Sequence, residues 1–344
     1  MSEVITIGVD LAKNVFQVHG IDNSGEVVVR RQLRRSQMLP FFNKTPPCLI
    51  GMEACATAHH WARQLIGLGH EVRLMPPRYV KPYVKRNKND AADAEAICEA
   101  VTRPTMRFVS VKSVEQQGIL MVHRSRELLV RQRTMVINAV RAHMAEFGVI
   151  APVGVPQVKK LLNIIADTDD DRLPDTARTC LEGLARQLFS LQDEIRALEM
   201  RIHAWHRSNE VSQRLETIPG IGPITASALT ASIANPAVFR NGRELAAWIG
   251  LVPKQSSTGG KDRLGRISKQ GDQYLRWLLV AGAMSVIRQA QRRGAAKTPW
   301  LTNMIATKPT KMAAVALANK TARIAWALLS QGGTYQEPEL ATAA

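Results

Sequence analysis

Four acidic residues stand where chemistry could be done. Asp10 closes the apolar run that starts at Val4, Glu53 closes the run Cys48-Leu-Ile-Gly-Met52, and Asp90 and Asp93 lie three apart at the start of a predicted helix. Residues three apart share one helix face, and strand ends can meet that face, so the four carboxylates can converge. Converging carboxylates repel one another unless a hard divalent cation holds them. Mg²⁺, with Mn²⁺ as the alternative, suits such an all-oxygen set and clamps the attacking and leaving oxygens of a phosphodiester. Nucleases of the ribonuclease H architecture are arranged in this way. Each acid alone also has an ordinary role: Asp10 could cap a turn, Glu53 could form a salt bridge, Asp90 could cap the helix and Asp93 could be a first-turn charge. Joint placement at strand and helix ends is what points to metal.

A second cluster carries hydroxyls. Ser256, Ser257 and Thr258 precede Gly259-Gly260 in a predicted glycine-flexible loop, among Lys254, Lys261, Arg263, Arg266 and Lys269. A serine hydroxyl is a weak nucleophile, and surrounding cations would stabilise both an alkoxide and a pentacoordinate phosphate. A phosphate-binding loop whose hydroxyls only donate hydrogen bonds reads equally well. Upstream, Ile218-Pro-Gly220-Ile-Gly222-Pro-Ile-Thr-Ala226 has the form of a helix-hairpin-helix turn, in which Gly220 and Gly222 let backbone N–H groups face a phosphate. A plain tight turn between helices is the other reading. His59-His60 has no H-E-x-x-H pattern or matching cysteines, so packing explains the pair better than ligation.

The elements that must position these groups follow from periodicity. Residues 4–10, 14–21 and 26–32 form β-rich runs divided by turn residues such as Asn23-Ser-Gly25, the pattern of an antiparallel meander. A helix near 36–43, a strand over 48–53, a helix over 58–68 and a strand over 71–75 continue it as a mixed α/β domain. From 113 to 147 the pattern is helical, followed by a loop with Pro152, Gly154, Pro156 and the acidic run Asp169-Asp-Asp171. Leu181, Leu184, Leu188, Leu191, Ile195, Leu198 and Ile202 then recur at coiled-coil spacing. That seam predicts either self-association or packing within the chain against the 113–147 helix. From about 208 the chain reads as mainly helical.

Composition bounds the partners. The 344 residues carry a net charge of +17, concentrated in one stretch: residues 239–330 hold 16 basic and 3 acidic side chains, against 15 and 10 over 1–108. Such an excess favours a polyanion, because lysine and arginine at phosphates release condensed counterions. Cys48, Cys55, Cys98 and Cys180 occur singly, which argues against zinc or a redox pair and for small buried residues in a reducing compartment. No apolar run approaches membrane-spanning length and no signal peptide precedes the first strand, so a soluble, cytoplasmic chain is expected.

Gly8-Val-Asp10-Leu-Ala-Lys13, Met52-Glu-Ala54, Asn87-Lys-Asn-Asp90-Ala-Ala-Asp93-Ala94, Ile218-Pro-Gly-Ile-Gly222 and Ser257-Thr-Gly-Gly-Lys-Asp-Arg-Leu-Gly-Arg-Ile-Ser-Lys269 occur in this order over nearly the whole chain. Together they resemble the DEDD-type insertion-sequence transposases, the bridge-RNA-guided serine recombinases of bacteria. The resemblance implies a RuvC-like metal-dependent domain over 1–108, a helical coiled-coil linker or oligomerisation region over 109–207, a transposase domain over 208–335 and a disordered tail over 336–344. It implies Asp10, Glu53, Asp90 and Asp93 as catalytic metal ligands and Ser257 as nucleophile, counted back from Arg266-Ile-Ser-Lys269, with Ser256 as the neighbouring candidate. Donor and target DNA, a structured guide RNA, a dimer or tetramer of the chain and a nucleoid-associated location are the implied partners and place. Protein contacts in a guided system recognise mainly backbone and shape. A metal-dependent endonuclease of the Holliday-junction-resolvase type, hydrolysing DNA with water, is the competing enzyme reading, and a nucleic-acid-binding scaffold is the non-enzymatic one. The serine cluster discriminates against the first, and unneutralised acids beside a phosphate discriminate against the second.

Overall fold

Alternation of apolar residues makes Thr6–Leu11 strand β1 in the computed structural model, which describes residues 3–84, 90–152, 154–294 and 298–337. The chain divides into two compact units, one of Met1–Gln116 with Ile233–Val238, the other of Gln117–Ser232 with Phe239–Ala344.

In the first unit β1 is followed by β2 (Val15–Ile21), β3 (Val27–Arg34), helix α1 (Met38–Lys44), β4 (Leu49–Glu53), α2 (Ala58–Gly67), β5 (Glu71–Met75), the short α3 (Pro77–Val80) and α4 (Asp90–Val101). The five strands form one sheet in the order β3-β2-β1-β4-β5. The first three are an antiparallel meander, whereas β4 and β5 run parallel to β1. Period-two alternation sends Ile7, Val9, Ile50 and Met52 into a core with Phe16, Phe42, Trp61 and Leu65. The alternate residues face the other way, where Ala96, Ile97, Ala100 and Val101 of α4 pack with Met75, Val80 and Leu49.

Two glycines decide how closely α4 approaches. A Cβ on Gly8 would lie 2.2 Å from the carbonyl oxygen of Ala94 and 2.4 Å from the backbone nitrogen of Cys98, and one on Gly51 would lie 2.8 Å from Val101 Cβ. Backbone therefore meets backbone at β1, and the N-terminal turn of α4 is held beside the strand ends.

The second unit is mostly helical. It contains α5 (Val114–Ala145, apart from its first residues), α6 (Val158–Ala166), α7 (Asp175–Ser208), α8 (Glu210–Glu216), α9 (Pro223–Ser232), α10 (Gly242–Ile249), a hairpin of β6 (Pro253–Thr258) and β7 (Lys261–Ile267), α11 (Gln273–Arg293), α12 (Pro299–Thr307) and α13 (Thr310–Gln331). The leucine seam packs within the chain. Leu181, Leu188 and Leu191 of α7 are buried with Val136, Ile137, Val140 and Met144 of α5 and with Val158, Leu161 and Ile165 of α6, and farther along Ile202 meets Ile119 and Ala231. An Arg126–Glu199 ion pair at 2.6 Å also ties α5 to α7.

Three expectations need correction. The stretch read as a loop after residue 147 contains α6, whose Val158, Leu161 and Ile165 recur at helical steps and are buried. Its acidic end is closed by the buried Arg178, whose guanidinium donates to the carbonyls of Ile164, Ile165, Asp167 and Asp170. Residues 255–258 are strand β6 and not a flexible loop, because Gly259 and Gly260, at φ +57° and +76°, make a tight reversal of the kind that joins two-residue hairpins. Of the four cysteines only Cys48 and Cys98 are buried, while Cys55 and Cys180 are exposed. The Asn87-Lys-Asn part of the acidic motif and residues 338–344 of the expected tail lie outside the described residues.

Candidate active site

Parity places the first acids. Asp10 lies two residues beyond Gly8 and Glu53 two beyond Gly51, so both carboxylates leave the sheet on the side covered by α4. Asp90 and Asp93 occupy the first turn of α4, the end that close packing at Gly8 holds beside β1. Carboxylate oxygens of Asp10, Asp90 and Asp93 all fall within 4.8 Å of one another. Asp10 and Asp93 are half-buried and Asp90 is exposed, so the group opens to solvent on one side.

Glu53 stands beside this trio, not within it. Burial raises its carboxyl pKa above the ordinary value, and the negative charges of Asp10 and Asp93 raise it further. Like charges crowded at a partly desolvated site favour the neutral acid, and a bound cation reverses that preference. The donor set is therefore the one a hard divalent cation fits: oxygen only, anionic, open on one side and unfavourable when empty of positive charge. Among the described residues this is the group of at least three potential ligands that converges.

The turn after β4 is strained. Thr57, a β-branched residue, holds φ at +118°, a conformation costly for any side chain branched at Cβ. The following histidine, His59, serves packing: its Nδ1 accepts from the backbone N–H of Lys112 at 3.2 Å. Burial together with Lys112 and Arg63 brings its pKa down to about 4, so the ring is neutral.

The serine cluster lies on the exposed hairpin of the second unit. Ser257 pairs with Asp262 and Ser256 with Arg263 across the two strands. The two serines consequently point to opposite faces. The Ser257 hydroxyl donates to Asp262 Oδ1 at 2.5 Å, and the Gln255 amide donates to the same oxygen at 3.1 Å. These bonds hold the Asp262 carboxyl below its usual value, the serine being the larger cause. Ser256 shares its face with Lys261 and Arg263 instead. Sequence reasoning did not single out Asp262 or Gln255. The signal was available in Gly259-Gly260, since a two-residue turn there fixes the cross-strand register that sets Asp262 opposite Ser257.

The hairpin's root is fixed although its tip is exposed. Ser268 N–H donates to the Val252 carbonyl at 2.8 Å and Lys269 N–H to the Gly250 carbonyl at 3.2 Å, with Lys269 itself at φ +53°. Lys254, Lys261, Arg263, Arg266 and Lys269 are all exposed around it. The Ile218–Gly222 stretch is a turn between α8 and α9, pressed so closely on α11 that a Cβ on Gly282 would lie 1.9 Å from the Gly220 carbonyl oxygen. Gly220, at φ +88°, thus has a packing reason as well as a conformational one.

Residues 7–148 match a family model for DEDD transposases of IS110, described as a transposase, and residues 212–298 match the family described as Transposase IS116/IS110/IS902. A probable family 20 transposase of Pseudomonas aeruginosa is 51% identical over 331 residues, which cover 96% of this chain and 98% of that protein. The chain belongs to the IS116/IS110/IS902 transposase family. Transposases of the insertion sequences IS1328 of Yersinia enterocolitica and IS1111A of Coxiella burnetii are each 39% identical, across 98% of this chain and 100% and 92% of their own lengths. A member of this family acts in insertion-sequence mobility. Asp10, Glu53, Asp90 and Asp93 lie within the first matched region and the serine hairpin within the second. No helix among the described residues is long and apolar enough to cross a membrane.

Proposed function

We propose that this transposase cleaves and exchanges DNA strands under the guidance of a structured RNA, through a phosphoserine intermediate on Ser257 and a divalent cation held by Asp10, Glu53, Asp90 and Asp93. The convergence of Asp10, Asp90 and Asp93 carries the reading, because acids from two distant stretches of sequence, the end of β1 and the first turn of α4, meet there. The sheet order, with acids at the ends of β1 and β4 and at the start of α4, supports a RuvC-like 1–108 domain.

Asp10, Glu53, Asp90 and Asp93 would hold a divalent cation, Mg²⁺ or Mn²⁺, which would supply charge neutralisation at a scissile phosphate. The protein does the rest. Asp262 orients the Ser257 hydroxyl and receives its proton as Ser257 Oγ bonds to phosphorus. The phosphorus–oxygen bond to the deoxyribose breaks in the same displacement, and that sugar oxygen leaves with the bonding electron pair and takes a proton from water to become a hydroxyl. Exposed Arg266, farther along β7, offsets the negative charge that gathers on the phosphate, while Lys261 and Arg263, on the Ser256 face, hold the flanking backbone. Attack by the freed sugar hydroxyl of a second strand then restores Ser257 and joins the DNA.

The helical stretch 109–207 serves as linker and 208–335 as the transposase domain, with 336–344 as a tail. Donor DNA, target DNA, guide RNA and a second copy of the chain are the partners of this cytoplasmic, nucleoid-associated enzyme. Self-association does not need the seam buried in α7. On α5, Met121, Leu128 and Met135 are 69%, 46% and 69% exposed at intervals of seven, the supercoil repeat.

A nicked suicide substrate should trap a protein–DNA adduct, located by peptide mass spectrometry on Ser257. Ser257→Ala should abolish it while nucleic-acid binding changes by less than about fivefold, since one neutral hydrogen bond contributes about 1 kcal/mol. An adduct on Ser256 would move the nucleophile to the other hairpin face. Cleavage with no adduct on residues 256–258 would instead identify a water-using endonuclease of the resolvase type.

A further inference from the structure

The second unit holds a groove of about 1700 Å³ that shares a wall with the serine hairpin. Its floor is one face of α13, from Lys311 to Ala327, about 24 Å of helix at 1.5 Å per residue. Pro253 of β6 and Leu264 to Ile267 of β7 form one side, while α10 and Trp300 of α12 contribute to the remainder. Among the described residues, Arg243, Arg266, Lys269, Lys311, Lys320 and Arg323 line it and no acidic side chain does.

The groove is also unusually apolar for so charged a place. Leu264 and Met312 are 72% and 58% exposed in it, and Trp300 is 37% exposed. Trp326, half-buried, contributes a second indole. Lys320 Nζ sits 4.5 Å from the centre of the Trp300 ring, which holds the ring in place beside a cation. Cations alone would suit a duplex backbone, and apolar side chains alone would suit a peptide. Their combination in one channel suits a chain that presents phosphates and unstacked bases together, since every base has a face that can stack on an indole.

We infer that this groove holds unpaired single-stranded DNA flanking the phosphate that Ser257 attacks, with Trp300 and Trp326 as stacking platforms for its bases. The inference rests on the serine reading for the identity of the strand. The shared wall is the reason for choosing DNA: residues 264–267 line the groove and belong to the strand that carries Asp262, the hydrogen-bond partner of Ser257. A strand lying along the channel therefore passes the hairpin that would cut it.

The test is equilibrium binding of full-length protein to fluorescent oligonucleotides of one sequence, as single-stranded DNA, as blunt duplex DNA and as single-stranded RNA. Trp300→Ala should weaken single-stranded DNA binding about tenfold, the size of one lost base–aromatic stack, and duplex binding less than about twofold. Trp300→Phe should restore most of the affinity, which a loss of fold would not permit, and Lys311→Gln should weaken binding with a reduced salt dependence. Equal loss on duplex and single strand, no loss on either, or a Trp300-dependent preference for RNA would overturn the inference. Adduct trapping with the Trp300→Ala protein separates the two claims. Selective single-strand loss without any adduct in the parent protein leaves the groove standing and removes the serine reading, whereas an adduct in the parent without selective loss does the reverse.

Discussion

The Glu53 carboxylate costs stability until a cation arrives. Its acid form is favoured by burial and by the charges of Asp10 and Asp93. Asp10→Asn, Glu53→Gln, Asp90→Asn and Asp93→Asn should therefore each abolish recombination in a plasmid assay. In chelator-treated protein Glu53→Gln should leave Tm unchanged or raise it, because it removes a repulsive charge from a half-buried position. Added Mg²⁺ should raise the parent's Tm and not the variants'; two amide variants with parental activity would sink the metal proposal. His123 makes a separate residue-scale prediction. It is buried, with Nδ1 3.0 Å from the Tyr274 hydroxyl and Nε2 3.1 Å from Ser227 Oγ. Ser227 gives its own proton to the Pro223 carbonyl at 2.7 Å, so it accepts from Nε2–H, and Tyr274 donates to Nδ1. That arrangement needs the neutral ring. Burial, with Arg126 and Arg124 nearby, brings the pKa down to about 4. The unfolded chain takes up its proton near pH 6.5, about 2.5 units earlier, so the stability is complete above pH 6.5 and falls as the pH drops towards 4, by at most about 3 kcal/mol. Urea midpoints at pH 7.5 and 5 should differ less in His123→Gln than in the parent, and an unchanged difference would assign the acid sensitivity elsewhere.

At the level of elements, glycine at β1 is what brings α4 to the acids. Gly8→Ala would force a Cβ into backbone atoms of α4, so the helix must shift, at a cost of about 1–3 kcal/mol. Activity should fall much further than stability, because the displaced turn carries Asp90 and Asp93. Gly118→Ala is the control: its Cβ meets nothing within 4 Å on the helix α5, and it should stabilise by about 0.5–1 kcal/mol. Comparable activity in the two variants, measured by recombination beside Tm, would show that the Gly8 contact does not position the site. The same elements show what was legible in the sequence. Strands β1 to β5 were legible in their β-rich, largely alternating runs, Asp10 and Glu53 because they end such runs, and Asp90 and Asp93 because they lie three apart at the start of a helix. The β6–β7 hairpin was not, since nearly all its residues are polar and exposed and only Gly259-Gly260 marks it. Helix α6 was legible in Val158, Leu161 and Ile165, but prolines and glycines before it and the acids after it outweighed nine residues. For the α7 seam, spacing gave the periodicity, and only the structure could choose its partner among α5, α6 and another chain.

Across the whole molecule the charge is divided unevenly, and affinity should follow that division. Residues 239–330 carry 16 basic side chains against 3 acidic ones, whereas 1–108 carry 15 against 10, so a phosphate backbone meets uncompensated cations mainly in the second unit. Each neutralised phosphate releases counterions and steepens the fall of affinity with salt by about 0.9 in the logarithmic slope for duplex DNA. Removing three hairpin cations together, as Lys254→Gln, Lys261→Gln and Arg263→Gln, should therefore flatten the slope by about 2 to 3. Arg31→Gln, Arg34→Gln and Lys44→Gln in the first unit remove the same formal charge and should change the slope by less than about 1. The comparison holds net charge constant, so a general field effect would shift both triple variants alike. Binding isotherms between about 50 and 200 mM salt suffice, and equal slopes for the two triples would mean that net charge, not its placement around the serine hairpin, sets the affinity.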